Sequence, residues 1–307
     1  MADRPIAVYG AFAANLAIAV VKFVAAAVTG SSAMLSEGIH SLVDTGNQVL
    51  LLVGVRRGQR PADAGHPFGH SSELYVWALL VAVALFGIGG GLAFYEGVSH
   101  LQHPNEMTDP TWNYAVLGFA FLFDGGSWLL ALRELRRDHP GLSAWEAFRK
   151  SSDPAVYTVL AEDTADLVGI VLAAGGIALG HATGNPMWDG LASIAIGLLL
   201  AGISLSLVAT GRSLLTGRAA APEVVASVRR IAEADPAVAR AAVPLTMQMG
   251  PDDVLVNVEL VFHDDLPASG VAEASVRIEA AVREAHPSVS RVFTEAAPPD
   301  RPAPPAP

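Results

Sequence analysis

The chain is predicted to be an α-helical membrane protein: six transmembrane helices with both termini cytoplasmic, followed by a small α+β cytoplasmic domain. Three observations carry this prediction. Hydrophobic residues make up 52% and charged residues only 16% of the 307 positions, whereas soluble domains run near one quarter charged. Six apolar stretches each reach the roughly 20 residues needed to cross about 30 Å of hydrocarbon. Past residue 219 the pattern changes to alternating amphipathic helix and strand.

The apolar stretches are 5–29, 31–54, 74–98, 111–132, 154–180 and 186–211. Polar pairs interrupt the second and fifth, so a hydropathy window alone underrates them. Arg56, Arg57 and Arg60 follow the second stretch. Arg133, Arg136, Arg137, Arg149 and Lys150 lie between the fourth and fifth, and Arg212 and Arg218 follow the sixth. The other connections hold no Lys or Arg, and this asymmetry sets both termini on the cytoplasmic side of a cell (inner or plasma) membrane. The start of the chain lacks a basic region followed by a small-residue cleavage site, so the first stretch is expected to be a retained helix.

In the polar region, residues 223–234 read as a helix with Val224, Val225, Val228 and Ile231 on one stripe. A strand around 240–249 ends at the Gly250-Pro251 turn, VLVNVELVF (254–262) alternates as a strand, 271–285 is helical and 291–296 is a strand. This α-β-β-α-β order fits a ferredoxin-like βαββαβ arrangement. The expected domains are 1–215, 216–296 and a disordered proline-rich tail at 297–307.

A net charge of -11 argues against a nucleic-acid partner. With no cysteine in the chain, disulfides, thiolate metal sites and cysteine nucleophiles are excluded, and any metal must be held by His and carboxylate.

The candidates lie inside the apolar segments. His40 and Asp44, and Glu162 and Asp166, are pairs spaced i, i+4, so each pair shares one helix face. At 1.5 Å per residue His40 lies roughly 14 Å below the outer end of its span, and Glu162 and Asp166 roughly 12 and 18 Å above the inner end of theirs. The pairs therefore reach similar heights near the midplane. Ionisable groups there are costly and point to an ion pathway. Three carboxylates repel one another unless a cation joins them, and a divalent ion that displaces protons gives metal–proton exchange. His40 is the expected proton partner, because imidazole switches charge in the physiological range. The plain alternative is that these groups are interhelical hydrogen-bonding glue.

SSAMLSEGIHSLVDTGNQ resembles the second-helix signature of the cation diffusion facilitators, SxAxxSExxHSxxD. The resemblance continues in DAGHPFGH (63–70), in GLASIAIGLLLAG (190–202) and in the α+β end, and covers about 10–296. LAEDTADLVG and TMQMGPDDVLVNVELVF are most similar to the branch containing the mitochondrial zinc transporter of animals and its bacterial relatives. The resemblance implies a homodimeric, proton-coupled exporter of zinc or a similar divalent ion, working by alternating access through a tetrahedral site between the second and fifth helices. By motif, His40 and Asp44 take the second-helix ligand positions and Glu162 and Asp166 the fifth-helix ones. Much of the family has His or Asp where this chain has Glu162.

One nitrogen with three carboxylates is a harder donor set than one with two imidazoles, which tilts preference toward Mn²⁺, Fe²⁺ or Co²⁺. Zinc still accepts such oxygens. Asp163, about 100° round the helix from Glu162, replaces it as a ligand only if the helix is rotated or distorted. Asp63, His66 and His70 in the loop after the second span match the family's loop metal site; the alternative is a Gly/Pro-rich turn facing water. His263, Asp264, Asp265 and His286 are too few for the zinc pair some members carry in the cytoplasmic domain, and are read as solvated. That domain is expected to serve dimerisation.

Asn15 and Asp124 are expected to line the cavity, and Lys22 to reach the interface or pair with a carboxylate. Glu37, one turn before His40, lies on the ion's way in or supports the ligands. Gly87, Gly89, Gly90 and Gly91 allow close helix packing, at a dimer contact or within the chain. A passive channel or a metal-binding membrane regulator are the competing functions. An enzyme is not expected, for want of a further acid or base beside the metal donors.

Overall fold

The computed structural model describes residues 4–104, 110–138, 141, 143, 146, 147 and 154–298. The expected proline-rich tail therefore lies largely outside the described residues. The chain divides into two compact units, one reaching Arg57 and resuming over Leu74–Arg212, the other holding Gly58–Glu73 and the chain from Ser213 onward.

The first unit is built on long helices: α1 (Arg4–Thr29), α2 (Ser32–Gly58), α3 (Glu73–Gln102), α4 (Thr111–Asp138), α5 (Pro154–Thr183) and α6 (Met187–Leu215). Four helical stretches are long and apolar enough to cross a membrane: Glu73–Gln102, Thr111–Arg137, Thr158–Thr183 and Met187–Leu215. Asn15–Thr29 is a shorter apolar stretch, and α2 is too polar to qualify.

The polarity of α2 has a geometric reason. Ser32, Ser36, Glu37, His40, Ser41, Asp44, Thr45 and Asn47 are buried, while Leu42 and Val49 are exposed. The polar face points into the bundle and the apolar face outward. α5 repeats the pattern, with Glu162, Ala165, Asp166, Ile170 and Ala173 inward and Val168 and Val171 outward.

Two devices set the frame around α2. Gly30, at φ 72°, takes the left-handed conformation that turns α1 into α2. Asp189, buried at the start of α6, accepts from Ser31 Oγ at 2.7 Å and from the backbone N–H groups of Ser32 and Ala33, at 2.5 and 3.3 Å. It thereby caps α2 from another helix, satisfying N–H groups that a helix start leaves free.

α3 contains a π-helical turn, Leu85–Gly90. Beyond it α3 and α6 meet backbone to backbone: a Cβ on Gly97 would lie 2.7 Å from Gly190 O, and one on Gly197 2.7 Å from Phe94 N. Gly90 joins this contact, whereas a Cβ on Gly87 would meet nothing within 4 Å. The glycine packing found here is therefore within the chain. Ser193 Oγ donates to Ala93 O at 2.8 Å and contacts Ser36 Oγ, so α2, α3 and α6 are also tied by side chains.

The second unit folds as α7 (Pro222–Glu233), β1 (Val238–Ala241), β2 (Leu245–Gly250), β3 (Asp253–Phe262), α8 (Ala268–Ala285) and β4 (Val289–Ala296). The single strand expected at 240–249 is two short ones, because Pro244 lacks an N–H and interrupts the ladder. Both pair antiparallel with β3, β1 at Leu260–Phe262 and β2 at Asp253–Asn257, while β4 runs parallel along the other edge. Val228, Ala232, Ile278 and Val282 from the helices close over Val254, Val256, Val258 and Leu260.

The loop at 58–73 belongs to this unit. Ser71 Oγ donates to Asp253 Oδ2 at 2.6 Å, Ser72 Oγ to Met249 O at 3.0 Å, and the Arg291 guanidinium lies 5.2 Å from the Phe68 ring centre.

Candidate metal site

The i, i+4 spacing on α2 stacks His40 over Asp44, and α5 brings Asp166 to the same place. His40 Nδ1 is 3.5 Å from Asp44 Oδ1, and His40 Nε2 is 3.2 Å from Asp166 Oδ1. One donor atom from each lies within 4.8 Å of the others. All three residues are buried. Both ring nitrogens of His40, both oxygens of Asp44 and Oδ1 of Asp166 lack a hydrogen-bond partner among the described residues. Buried polar atoms are ordinarily satisfied, so five orphans on three adjacent side chains need an explanation.

Glu162 is buried on the same face of α5 but stands outside this group of three. Its Oε1 accepts from Asn47 Nδ2 at 2.7 Å, which ties α5 to α2 one turn beyond Asp44. Asp163 accepts from Ser127 Oγ of α4 at 3.1 Å. Both carboxylates line a cleft with Asn15, Asp44, Asp124 and Asp166, the acid-lined surface that concentrates cations. Asn15 and Asp124 thus both stand on the wall of this cleft.

Glu37 is wholly buried and paired: Lys22 Nζ donates to its Oε2 at 2.9 Å. Lys22, equally buried, has a carboxylate partner and does not reach an interface.

In the loop, Asp63, His66 and His70 also converge within 4.8 Å. Their circumstances differ. Asp63 Oδ1 accepts from the N–H groups of His66 at 2.7 Å and Gly65 at 2.8 Å. The His66 N–H, reinforced by Gly65, holds the Asp63 carboxyl below the usual range. His66 Nδ1 and His70 Nε2 lie 3.4 and 3.5 Å from its two oxygens, and the imidazole centres are 4.3 Å apart.

Some contacts had a faint sequence signal. Asn47 follows Asp44 by three residues, and Ser127 follows Asp124 by three, so each shares a face with an acidic neighbour. The cap by Asp189, and His100 with Nε2 3.8 Å from Asp189 Oδ2, had none, being set by helices far apart in the chain.

A bundle of membrane-type helices with a buried imidazole–carboxylate cluster on an acidic cleft, followed by a small α/β unit, defines a membrane protein suited to cations. Residues 8–216 match the cation efflux transmembrane domain family, and the chain belongs to the cation diffusion facilitators. It is 38% identical over 219 residues, 71% of its length, to the mitochondrial proton-coupled zinc antiporter SLC30A9 of Xenopus laevis. The human protein of that name is 39% identical over 219 residues. In each case the match covers 39% of the relative, so the chain spans about two fifths of these curated relatives. A shorter match, 41% over 83 residues and 27% of each chain, is to the cation-efflux pump FieF of Escherichia coli.

Proposed function

We propose that this chain exports a divalent metal ion in exchange for protons by alternating access. The cargo is held by His40, Asp44 and Asp166 with a fourth donor from Glu162, and Asp163 is the alternative. The observation that carries the reading is the set of orphaned donor atoms between α2 and α5. A dication takes one His40 nitrogen together with Asp44 and Asp166 oxygens, and protonation of the same groups is the alternative in its absence, which makes the two cargoes mutually exclusive. The likeness to proton-coupled zinc antiporters supports the same exchange.

In this reading six helices span a cell membrane with both termini cytoplasmic, the α/β unit is a cytoplasmic dimerisation domain, and the working form is a homodimer. Asp63, His66 and His70 hold a metal that is not transported. Zinc is the first cargo to test. Mn²⁺, Fe²⁺ and Co²⁺ compete, because a site of one nitrogen and three oxygens tilts toward harder ions.

The test is zinc flux in proteoliposomes under an imposed pH gradient. The exchange reading expects flux that rises with the inward proton gradient and vanishes on its collapse. Flux indifferent to the gradient sinks it in favour of a passive channel, and zinc binding without flux favours a regulator.

A further inference from the structure

Lys22 is the only buried Lys or Arg among the described residues. It lies within the apolar run of α1, where an ammonium is tolerated only if paired. Its Nζ donates to Glu37 Oε2 at 2.9 Å and to Ser41 Oγ at 2.8 Å, both on α2. Glu37 precedes His40 by three residues and Ser41 precedes Asp44 by three, so the ammonium grips the turn of α2 that presents both ligands.

The other oxygen of Glu37 reaches α5. A Cβ at Gly169 would collide with Glu37 Oε1, and Gly169 follows Asp166 by three residues. Glu37 Oε1 has no hydrogen-bond partner among the described residues. One buried ion pair therefore joins α1, α2 and α5 beside the donor cluster.

We propose that Lys22 is a positioning residue for transport: a fixed cation that holds Glu37 out of the metal site and weakens the site's grip on the dication enough for release. This rests on reading His40, Asp44 and Asp166 as the transport site. Glu37, Asp44, Glu162 and Asp166 together would bind a dication strongly and discharge it slowly. A unit positive charge within about 10 Å of a dication changes its affinity by about tenfold or more at the effective dielectric of a protein interior.

The charge role and a purely structural role differ in sign. Lys22→Met keeps the bulk and removes the charge; zinc should bind about tenfold tighter, with KM and kcat falling together as release slows. Glu37→Gln frees the ammonium to face Asp44 and Asp166; zinc should bind about tenfold more weakly and KM should rise. The double variant should return to within about threefold of the parent, because its net charge is restored.

The experiment is calorimetric zinc titration, and flux in proteoliposomes, on the full chain lacking the loop cluster through Asp63→Ala, His66→Ala and His70→Ala. If Lys22→Met does not fold, Glu37→Gln and the double variant still give the signs. Affinities that fall in both single variants, or shift in neither, overturn the proposal. Asp44→Ala run alongside separates the two readings: zinc binding that survives it removes the site, whereas lost binding there with unchanged affinity in Lys22→Met removes the proposal alone.

Discussion

The two His/Asp clusters among the described residues have similar donors and opposite surroundings. His40, Asp44 and Asp166 are buried with five donor atoms unsatisfied, whereas Asp63 and His66 are more than half exposed and Asp63 is bonded by its own loop. A desolvated, unsatisfied cluster is costly unless something occupies it, so whatever it binds is coupled to the state of the helices. An exposed cluster that makes its own hydrogen bonds stands empty at little cost. Donor type alone does not distinguish the two clusters; solvation does.

The comparison breaks first at the buried cluster. Asp44→Ala and Asp166→Ala should each lower zinc flux on the order of 100-fold or more while the protein still folds, as judged by size-exclusion profile and melting. Flux near the parental level in either would end the distinction between the clusters.

Next comes the fourth donor. Glu162→Gln should cost on the order of tenfold in zinc affinity, because Glu162 shares the inward face of α5 with Asp166. Asp163→Asn should cost less, because Asp163 lies about 100° round α5 from Glu162 and off the Glu162–Asp166 face. The reverse ranking in a zinc titration would move the fourth ligand to Asp163.

At the loop, Asp63→Ala should remove one bound zinc per chain by metal analysis and change flux by less than about threefold, as exposed groups contribute little. A collapse of flux would make the loop part of the transport path.

The smallest effect calibrates what exposed charge is worth. Asp235 accepts two hydrogen bonds from Arg277, each 3.0 Å, and these hold its carboxyl below the ordinary 3.8. A carboxyl lowered by folding stabilises above its unfolded pKa and loses that contribution as pH falls through its folded value. Hydrogen exchange in the α/β unit should therefore show protection falling as pH drops below 3.8, and Asp235→Asn should abolish that slope.

Much of this was legible in the sequence, for identifiable reasons. The apolar runs mark the helices closely, 31–54 against Ser32–Gly58 and 186–211 against Met187–Leu215, because a long apolar run and the helix it forms are both written locally. The i, i+4 pairs were legible for the same reason. What could not be read was how faces meet. Asn47 engages Glu162, Ser127 engages Asp163, and Asp189 caps α2, each across more than 30 residues. Glu37 and Lys22 were both singled out, but their pairing follows only from the packing of α1 against α2. Pro244 is the local case: a signal in plain view that splits a strand read as continuous.

The buried cluster is the proposed seat of the transported metal. X-ray absorption at the zinc edge, on protein lacking the loop cluster and loaded with one zinc per chain, tests it most directly. The expected result is a four-coordinate shell of one imidazole nitrogen and three carboxylate oxygens at about 2.0–2.2 Å, lost in Asp44→Ala. A shell with two or more imidazoles, or one unchanged by Asp44→Ala, would contradict it.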